Sequence, residues 1–291
     1  MKPFGKPVQR PTAPEEKPAH PHECSVEGWG VSARLSASRE VLLQASLRGL
    51  PPGFRVSRRP VSGPRFAFRT SGGAILTTHE GREINLGASR KRVTAYVESR
   101  LEGLASAHSP KFAFLHAGCV EIDGRAILLP GRSCAGKSSL VAEFAKGGAR
   151  YLSDDLVPID ARLRAHPFPR PLGIRPPQGG AAARTSLKAL GVEPANRARP
   201  IALIWCGSFD PLVGSSTFAP QTAAQAFAAL LAHAPGAQIR PEVIVPILAG
   251  IARMVPVFVG VRGEASEMVG AIRARLKRSS SKPATYHQGR R

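Results

Sequence analysis

Acidic side chains are scarce in this 291-residue chain: 20 Asp and Glu stand against 41 Lys and Arg, leaving a formal net charge of +21. Such an excess suits nucleic acid, an anionic membrane surface or a phosphorylated substrate, and composition alone does not choose among them. Aromatics are sparse as well, at 6% of residues. No aromatic-basic RNA-binding signature and no zinc-finger spacing accompanies the charge, so nucleic acid is not expected as the main partner. Only four cysteines occur, Cys24, Cys119, Cys134 and Cys206, without a C-x-x-C pair. That scatter argues against a zinc site or a disulfide framework and fits a reducing cytoplasm. Long apolar runs are missing too. The one stretch a hydropathy window would flag, Val243 to Val261, is broken by Arg253 and contains Pro246, Gly250, Pro256 and Gly260. A helix, a turn and a buried strand account for it better than a span needing about 20 apolar residues, so no membrane span is expected. The start of the chain, from Met1 to Pro7, develops no apolar run and does not read as a secretory signal.

What the chain has in plenty is turn-forming residues, 27 Pro and 29 Gly, and they cluster. Residues 1–24 carry six prolines among charges of both signs and are expected to form a disordered arm. Residues 25–108 hold short alternating stretches punctuated by Pro51-Pro52-Gly53 and Ser71-Gly72-Gly73, which predict a small β-rich N-terminal region. Val93, Tyr96, Val97, Leu101 and Leu104 recur at helical spacing, predicting a helix that leads into a main domain over 109–276. Residues 277–291 are expected to form a disordered basic tail. From Arg273 to Arg291 there are seven Lys or Arg and no acid.

The main domain reads as strand, strand, loop, helix, strand. Phe112 to Ile122 is apolar and ends at Asp123-Gly124, a two-residue hairpin signal, after which Arg125 to Leu129 runs into Gly131-Arg132-Ser133-Cys134-Ala135-Gly136-Lys137-Ser138. That octet matches G-x-x-x-x-G-K-[ST], and its flanks are the strand and amphipathic helix the motif requires. Glycines let successive backbone N–H groups turn inward, and the helix start adds partial positive charge at the same point. In such a loop Lys137 would reach the β- and γ-phosphates of ATP, and the Ser138 hydroxyl would hold Mg²⁺. Leu140, Val141, Phe144 and Ala145 form the helix's apolar face, and Gly147-Gly148 stops it.

The next strand, from Tyr151, delivers Asp154 and Asp155. A right-handed β-α-β crossover would bring it beside the strand that enters the loop, with both acids near the phosphates. Two adjacent acids can divide the labour, one on the metal and one accepting a proton from an attacking hydroxyl. His116, followed by the small Ala117 and Gly118, is either a proton relay to that pair or a satisfied core histidine. Arg170 and Arg175, in a Pro-rich loop, are expected to be solvated. Cys134 is expected to fill space rather than act as a redox switch. Further strands and helices are expected at Ile201 to Cys206, Thr222 to Ala232, Val255 to Val261 and Glu264 to Leu276.

Three segments, His116 to Gly118, Gly124 to Leu140 and Gly147 to Asp155, together resemble the HPr kinase/phosphorylase C-terminal-domain-like P-loop kinases. The resemblance spans Phe112 to Ile174. It implies an α/β fold with a P-loop kinase core of the HPr kinase type, and phosphorylation of a serine in a protein or peptide using ATP and Mg²⁺. On that basis Gly131 to Ser139 hold the nucleotide, with Lys137 and Ser138 on phosphate and metal. Asp154 accepts the proton, Asp155 supports metal or geometry, and His116 lies nearby. Cys134 stands where glycine is commoner in that family, and Ser139 replaces an acid. Phe168 to Arg175 does not reproduce the arginine-glycine signature of the dephosphorylating activity, so phosphorylase function is not implied. A small-molecule kinase and a nucleotide-responsive binding module are the alternatives, and a homo-oligomer is left open.

Overall fold

The computed structural model describes residues 21–79, 82–131, 135–174 and 183–280. Most of the N-terminal arm and of the basic tail, together with Arg132, Ser133, Cys134 and Arg175, lies outside the described residues. Two compact units divide the chain. One comprises Met1–Val26, Ser32–Leu50 and Val56–Glu98; the other comprises Glu27–Val31, Pro51–Arg55 and Ser99–Arg291.

The first elements in order are β1 (His22–Gly28), β2 (Val31–Ala37), α1 (Glu40–Leu47), β3 (Phe54–Val56), β4 (Arg65–Ser71), β5 (Ala74–His79), β6 (Arg82–Asn85) and α2 (Arg90–His108). Their strands form a six-stranded sheet ordered β3-β1-β2-β4-β5-β6. Alternation buries Ala33, Leu35 and Ala37 of β2 and Phe66 and Phe68 of β4. Both phenyl rings meet Tyr96 of α2 edge-on. The helix α1 sits inside a region read from the sequence as strands alone.

The second unit continues with β7 (Phe112–Ile122), β8 (Arg125–Pro130), α3 (Lys137–Lys146), β9 (Arg150–Ser153), β10 (Leu156–Asp160), β11 (Arg164–Ala165), β12 (Leu172–Ile174) and β13 (Ala183–Thr185). After a 3-10 turn at Lys188–Leu190 come β14 (Arg199–Phe209), β15 (Ala219–Pro220), α4 (Ala223–Leu231), α5 (Pro241–Met254), β16 (Val257–Arg262) and α6 (Ala265–Ser280). The arrangement is mixed α/β with mixed sheets. An eight-stranded sheet runs β11-β10-β7-β8-β14-β16-β15, with β9 also paired to β7. The hairpin from β7 to β8 turns on Asp123 (φ 50°) and Gly124 (φ 76°), both in the left-handed region that a two-residue turn demands. Beyond it β8, β14 and β16 run parallel to one another.

Each central strand feeds two cores. Ala113, Leu115, Ala117 and Cys119 of β7, Ala126 and Leu128 of β8, and Ile204 and Cys206 of β14 face one way, where they meet Leu230 of α4 and Ile244, Leu248 and Ile251 of α5. Val120, Ile122, Ile127, Leu129, Leu203 and Trp205 face the other way, onto Leu140, Val141 and Phe144 of α3 and Met268 and Ile272 of α6. Strands covered on both faces read as continuous apolar runs, as these do. Among the described residues no helix is long and apolar enough to cross a membrane. Val243 to Val261 divides into most of α5 and the start of β16. Cys24, Cys119 and Cys206 are free thiols.

One topological expectation is corrected. The chain does cross from β8 through α3 to β9, but β9 does not lie beside β8. It pairs antiparallel with β7, through Cys119↔Ser153 and Glu121↔Arg150, on the edge of β7 opposite β8. The tight turn at Asp123-Gly124 already seats β7 on one edge of β8, and β14 takes the other. The strand bearing the acids is therefore one position further out. β10 continues along the same edge of β7, from Leu156↔His116 to Asp160↔Phe112. Asp154 and Asp155 fill the break between β9 and β10, and the Ala117 N–H donates to the Asp155 carbonyl at 3.0 Å.

Gly118 is small for a packing reason. A Cβ there would lie 2.7 Å from Val141 Cγ2, so α3 rests directly on the β7 backbone. We expect Gly118→Ala to destabilise the protein by about 1–3 kcal/mol through overpacking. Adding Val141→Ala should recover part of the loss, read from the denaturation midpoints of the two variants.

Candidate active site

Gly131 follows β8 at a buried position, and the described chain resumes at Ala135. Gly136 has φ +77°, and a Cβ on it would come within 2.5 Å of Arg262 Nη2 and 3.3 Å of Phe209 Cβ. Both the backbone angle and the close approach demand glycine there. Lys137 opens α3, and its Nζ donates to the Gly131 carbonyl at 2.8 Å, tying the two ends of the loop together. The N-cap residue of α3, Gly136, has no side chain to cap it, and no acid lies in the first turn. An uncapped helix start of this kind presents N–H groups and partial positive charge to an anion. Lys137 and Ser138 are half-buried beside it, whereas Ser139 is exposed.

The two acids occupy different surroundings despite being neighbours. Asp154 is buried, with the Ser138 hydroxyl and the Gly173 N–H beside its carboxylate. Its Oδ1 is buried and takes no hydrogen bond from the described residues. Desolvation pushes the Asp154 pKa from 3.8 up to about 6, against the pull of Ser138, Gly173 and Lys137. Asp155 is half-exposed and moves the other way. Its Oδ1 lies 3.6 Å from His116 Nδ1 and its Oδ2 lies 3.2 Å from Arg170 Nη1. His116 and then Arg170 hold the Asp155 carboxyl below its ordinary value, while Asp155 raises the His116 imidazole. The structure thus brings His116, Lys137, Ser138, Asp154 and Asp155 together. His116 contacts the acid pair rather than the core.

The expectation of a solvated Arg170 is corrected. Its side chain is only 11% exposed, and Nη1 lies 2.9 Å from Oε1 of the equally buried Glu102 on α2. Tyr151, itself buried, donates its hydroxyl to the Arg170 carbonyl at 3.0 Å and fixes the loop. Charge pairing outweighs loop composition here, because a carboxylate sequestered on α2 needs a cation. Sequence reading also missed Glu102, Phe209 and Arg262. Arg262 is 3% exposed at the end of β16 and donates through Nη2 to the Gly136 carbonyl at 2.9 Å. A usable signal existed: an arginine closing an apolar parallel strand lies on the sheet edge where such folds gather ligands.

The residues fit a hard divalent cation with phosphate. A hydroxyl and a carboxylate with an unsatisfied buried oxygen are oxygen donors of the kind Mg²⁺ takes, and it completes its shell with phosphate and water. Among the described residues there is no cluster of three or more His, Cys, Asp or Glu that could hold a metal on its own.

No protein-family model matches the chain, and no curated protein does. Among solved structures, the Hpr(Ser) kinase/phosphatase from Coxiella burnetii is similar over 57% of this chain and 98% of that one, with 14% identity and a TM-score of 0.36. That is a distant structural relationship and transfers no function.

Asp154 yields a pH-dependent prediction. A carboxyl raised from 3.8 to about 6 is protonated in folded and unfolded chains below pH 3.8, and costs nothing there. Above pH 6 it is ionised in both, and the folded state carries the desolvation penalty, about 3 kcal/mol at ~1.4 kcal/mol per pH unit. Without ligand, Asp154→Asn should be the more stable protein at pH 8 by up to that amount. Its advantage should shrink below pH 6 and vanish near pH 4. Parallel denaturation curves at these values check it, and a constant difference would remove burial as the cause.

Proposed function

We propose that this chain is an ATP- and Mg²⁺-dependent phosphotransferase that moves a γ-phosphoryl group to a hydroxyl, with a serine of a protein or peptide as the acceptor. One observation carries the reading: the Ser138 hydroxyl, directly after Lys137 at the start of α3, lies beside the buried Asp154 carboxylate, which keeps an unpartnered oxygen. A glycine turn, a lysine, a hydroxyl and a buried acid at one helix N-terminus are the parts phosphoryl transfer requires. Magnesium, when bound, would neutralise charge on the β- and γ-phosphate oxygens.

The surroundings of the acids favour a division of labour opposite to the one the family resemblance implies. Asp154 and Ser138 would hold the metal side, because they lie side by side and Asp154 is buried with an unpartnered oxygen. Asp155 faces the acceptor, because its side chain is 56% exposed and both oxygens are oriented by cations. In the transfer, the acceptor hydroxyl oxygen bonds to the γ-phosphorus and the bond from that phosphorus to the bridging oxygen of the β-phosphate breaks. The hydroxyl proton passes to Asp155, and ADP leaves. A loose transition state asks little basicity of that acid, so a carboxylate with a lowered pKa can serve by orienting the hydroxyl and taking the proton late. Lys137 supplies a point charge to the phosphates, and His116 and Arg170 keep Asp155 in place. The half-exposed His116 and Asp155 leave room for an acceptor carried on a polypeptide.

Titration calorimetry with and without Mg²⁺ separates the roles. Asp154→Asn should reduce ATP affinity in Mg²⁺ to the level seen in EDTA. Asp155→Asn should leave MgATP affinity within about twofold while lowering transfer by a factor on the order of 100 to 10,000. Transfer is read with labelled ATP and native lysate, followed by mass spectrometry of the labelled species. Label on a metabolite would indicate a small-molecule kinase. Nucleotide binding with no transfer to any acceptor would indicate a nucleotide-responsive binding module. No Mg²⁺-dependent affinity in the wild type would reject the proposal.

A further inference from the structure

Phe209 is a large apolar side chain left 43% exposed at the end of β14. Its position is not arbitrary. β8, β14 and β16 are parallel, so Gly131 after β8, Phe209 closing β14 and Arg262 closing β16 line up along one edge of the sheet. Phe209 pairs directly with Arg262 in the β14–β16 register, and Asp210 N–H donates to the Arg262 carbonyl at 3.0 Å. The Arg262 guanidinium lies 4.9 Å from the centre of the Phe209 ring. Its two terminal nitrogens donate to the carbonyls of Gly136 and Gly263, at 2.9 and 2.8 Å, while its Nε, buried, has no hydrogen-bond partner. Leaving an arginine nitrogen unsatisfied in a buried site is costly, and structures retain such groups for a reason other than stability. Here the arginine locks the phenyl ring beside Gly136, whose absent Cβ would sit 3.3 Å from Phe209 Cβ.

We propose that Phe209, backed by Arg262, is the platform on which the base of the bound nucleotide stacks. The chemistry recognised is the π-face of a nucleobase, larger for a purine, with no hydrogen bond needed to the base itself. Strands in a sheet are about 4.8 Å apart, so the platform lies one to two strand spacings from the loop, within the reach of a nucleoside triphosphate held by its phosphates. Ligands of open α/β sheets bind at this edge, outside the carboxyl ends of the strands. The subsite rests on the phosphate grip proposed above, and the test separates the two.

The full-length protein is titrated with MgATP and, separately, with inorganic tripolyphosphate and Mg²⁺, which offers the same phosphates without a base. Phe209→Ala should raise the Kd for MgATP by about tenfold or more, since loss of an aromatic platform costs that much per base, and should change the Kd for tripolyphosphate by less than about twofold. Phe209→Trp should keep MgATP affinity within about threefold, and its added indole fluorescence should be quenched by MgATP but not by tripolyphosphate. Equal losses for both ligands, no loss for either, or quenching that ignores the base would overturn the platform while leaving the phosphate grip standing. A wild type that binds neither ligand would overturn both. Since a poorly folded Phe209→Ala would weaken both ligands, the quenching of Phe209→Trp decides in that case.

Discussion

The approach of the Ser138 hydroxyl to the buried Asp154 carboxylate is the constraint around which the site is organised. It connects two places the chain reaches by different routes: the first turn of α3, and the break between β9 and β10. Neither would be near the other without β7. That strand carries β8 on one edge and β9 with β10 on the opposite edge, and the bare Gly118 backbone lets α3 lie across it against Val141. The packing that places α3 is ordinary, since full burial of Leu140, Val141 and Phe144 is worth about 1.5–3 kcal/mol for each side chain. What it positions is costly. A buried carboxylate with an unpartnered oxygen works against folding and persists where another constraint holds it.

Among the described residues, the other buried acids are handled by pairing. Arg170 stands between Glu102 and Asp155, and the buried Glu121 and Arg199 meet at 2.8 Å. Such pairs add little net stability over apolar replacements, but losing one partner leaves an uncompensated charge. Asp155 is therefore fixed from two sides and its acidity is increased, while one residue earlier Asp154 loses water and gains no cation within pairing distance. Two identical side chains thus titrate in opposite directions because of a single step in the chain. Separation of this kind assigns different roles to like residues. It also shows why adjacency in sequence left their roles open: the distinction arises from what β7, α2 and α3 each bring to the break.

Features governed by neighbouring residues were legible beforehand. The β7–β8 hairpin follows from Asp123-Gly124, the end of α3 from Gly147-Gly148, and the glycine at 136 from the motif, because each is set by local backbone geometry. The approach of Lys137 and Ser138 to Asp154 and Asp155 was legible because one helix and one short strand join them, whereas His116, on β7, was open between a relay and a core histidine until its contact with Asp155 was seen. The illegible parts depend on distant partners. Whether Arg170 is solvated depends on Glu102, 68 residues earlier, and the burial of Arg262 depends on Gly136, 126 residues earlier. The edge chosen by β9 could not be read because the β7–β8 turn decides it. The eight-residue α1 was hidden among alternating strands, since it offers barely two turns of helical periodicity.

The net charge of +21 invites a reading in terms of nucleic acid, yet the cations nearest the candidate site are the ones already committed. Arg170 is occupied by two carboxylates, Arg262 by two carbonyls, and Lys137 bridges the loop through Gly131. Of these, Lys137 has the means to turn outward: its bond to Gly131 is to a neutral carbonyl, and an ammonium group on a four-carbon stem exchanges such a contact for a phosphate at little cost. The two arginines cannot do so without stranding a buried acid or releasing the Gly136 turn. Among the described residues, fixed arginines around an adaptable lysine fit the proposed grip on a small polyanion, and differ from the extended row of free cations that a nucleic-acid backbone needs.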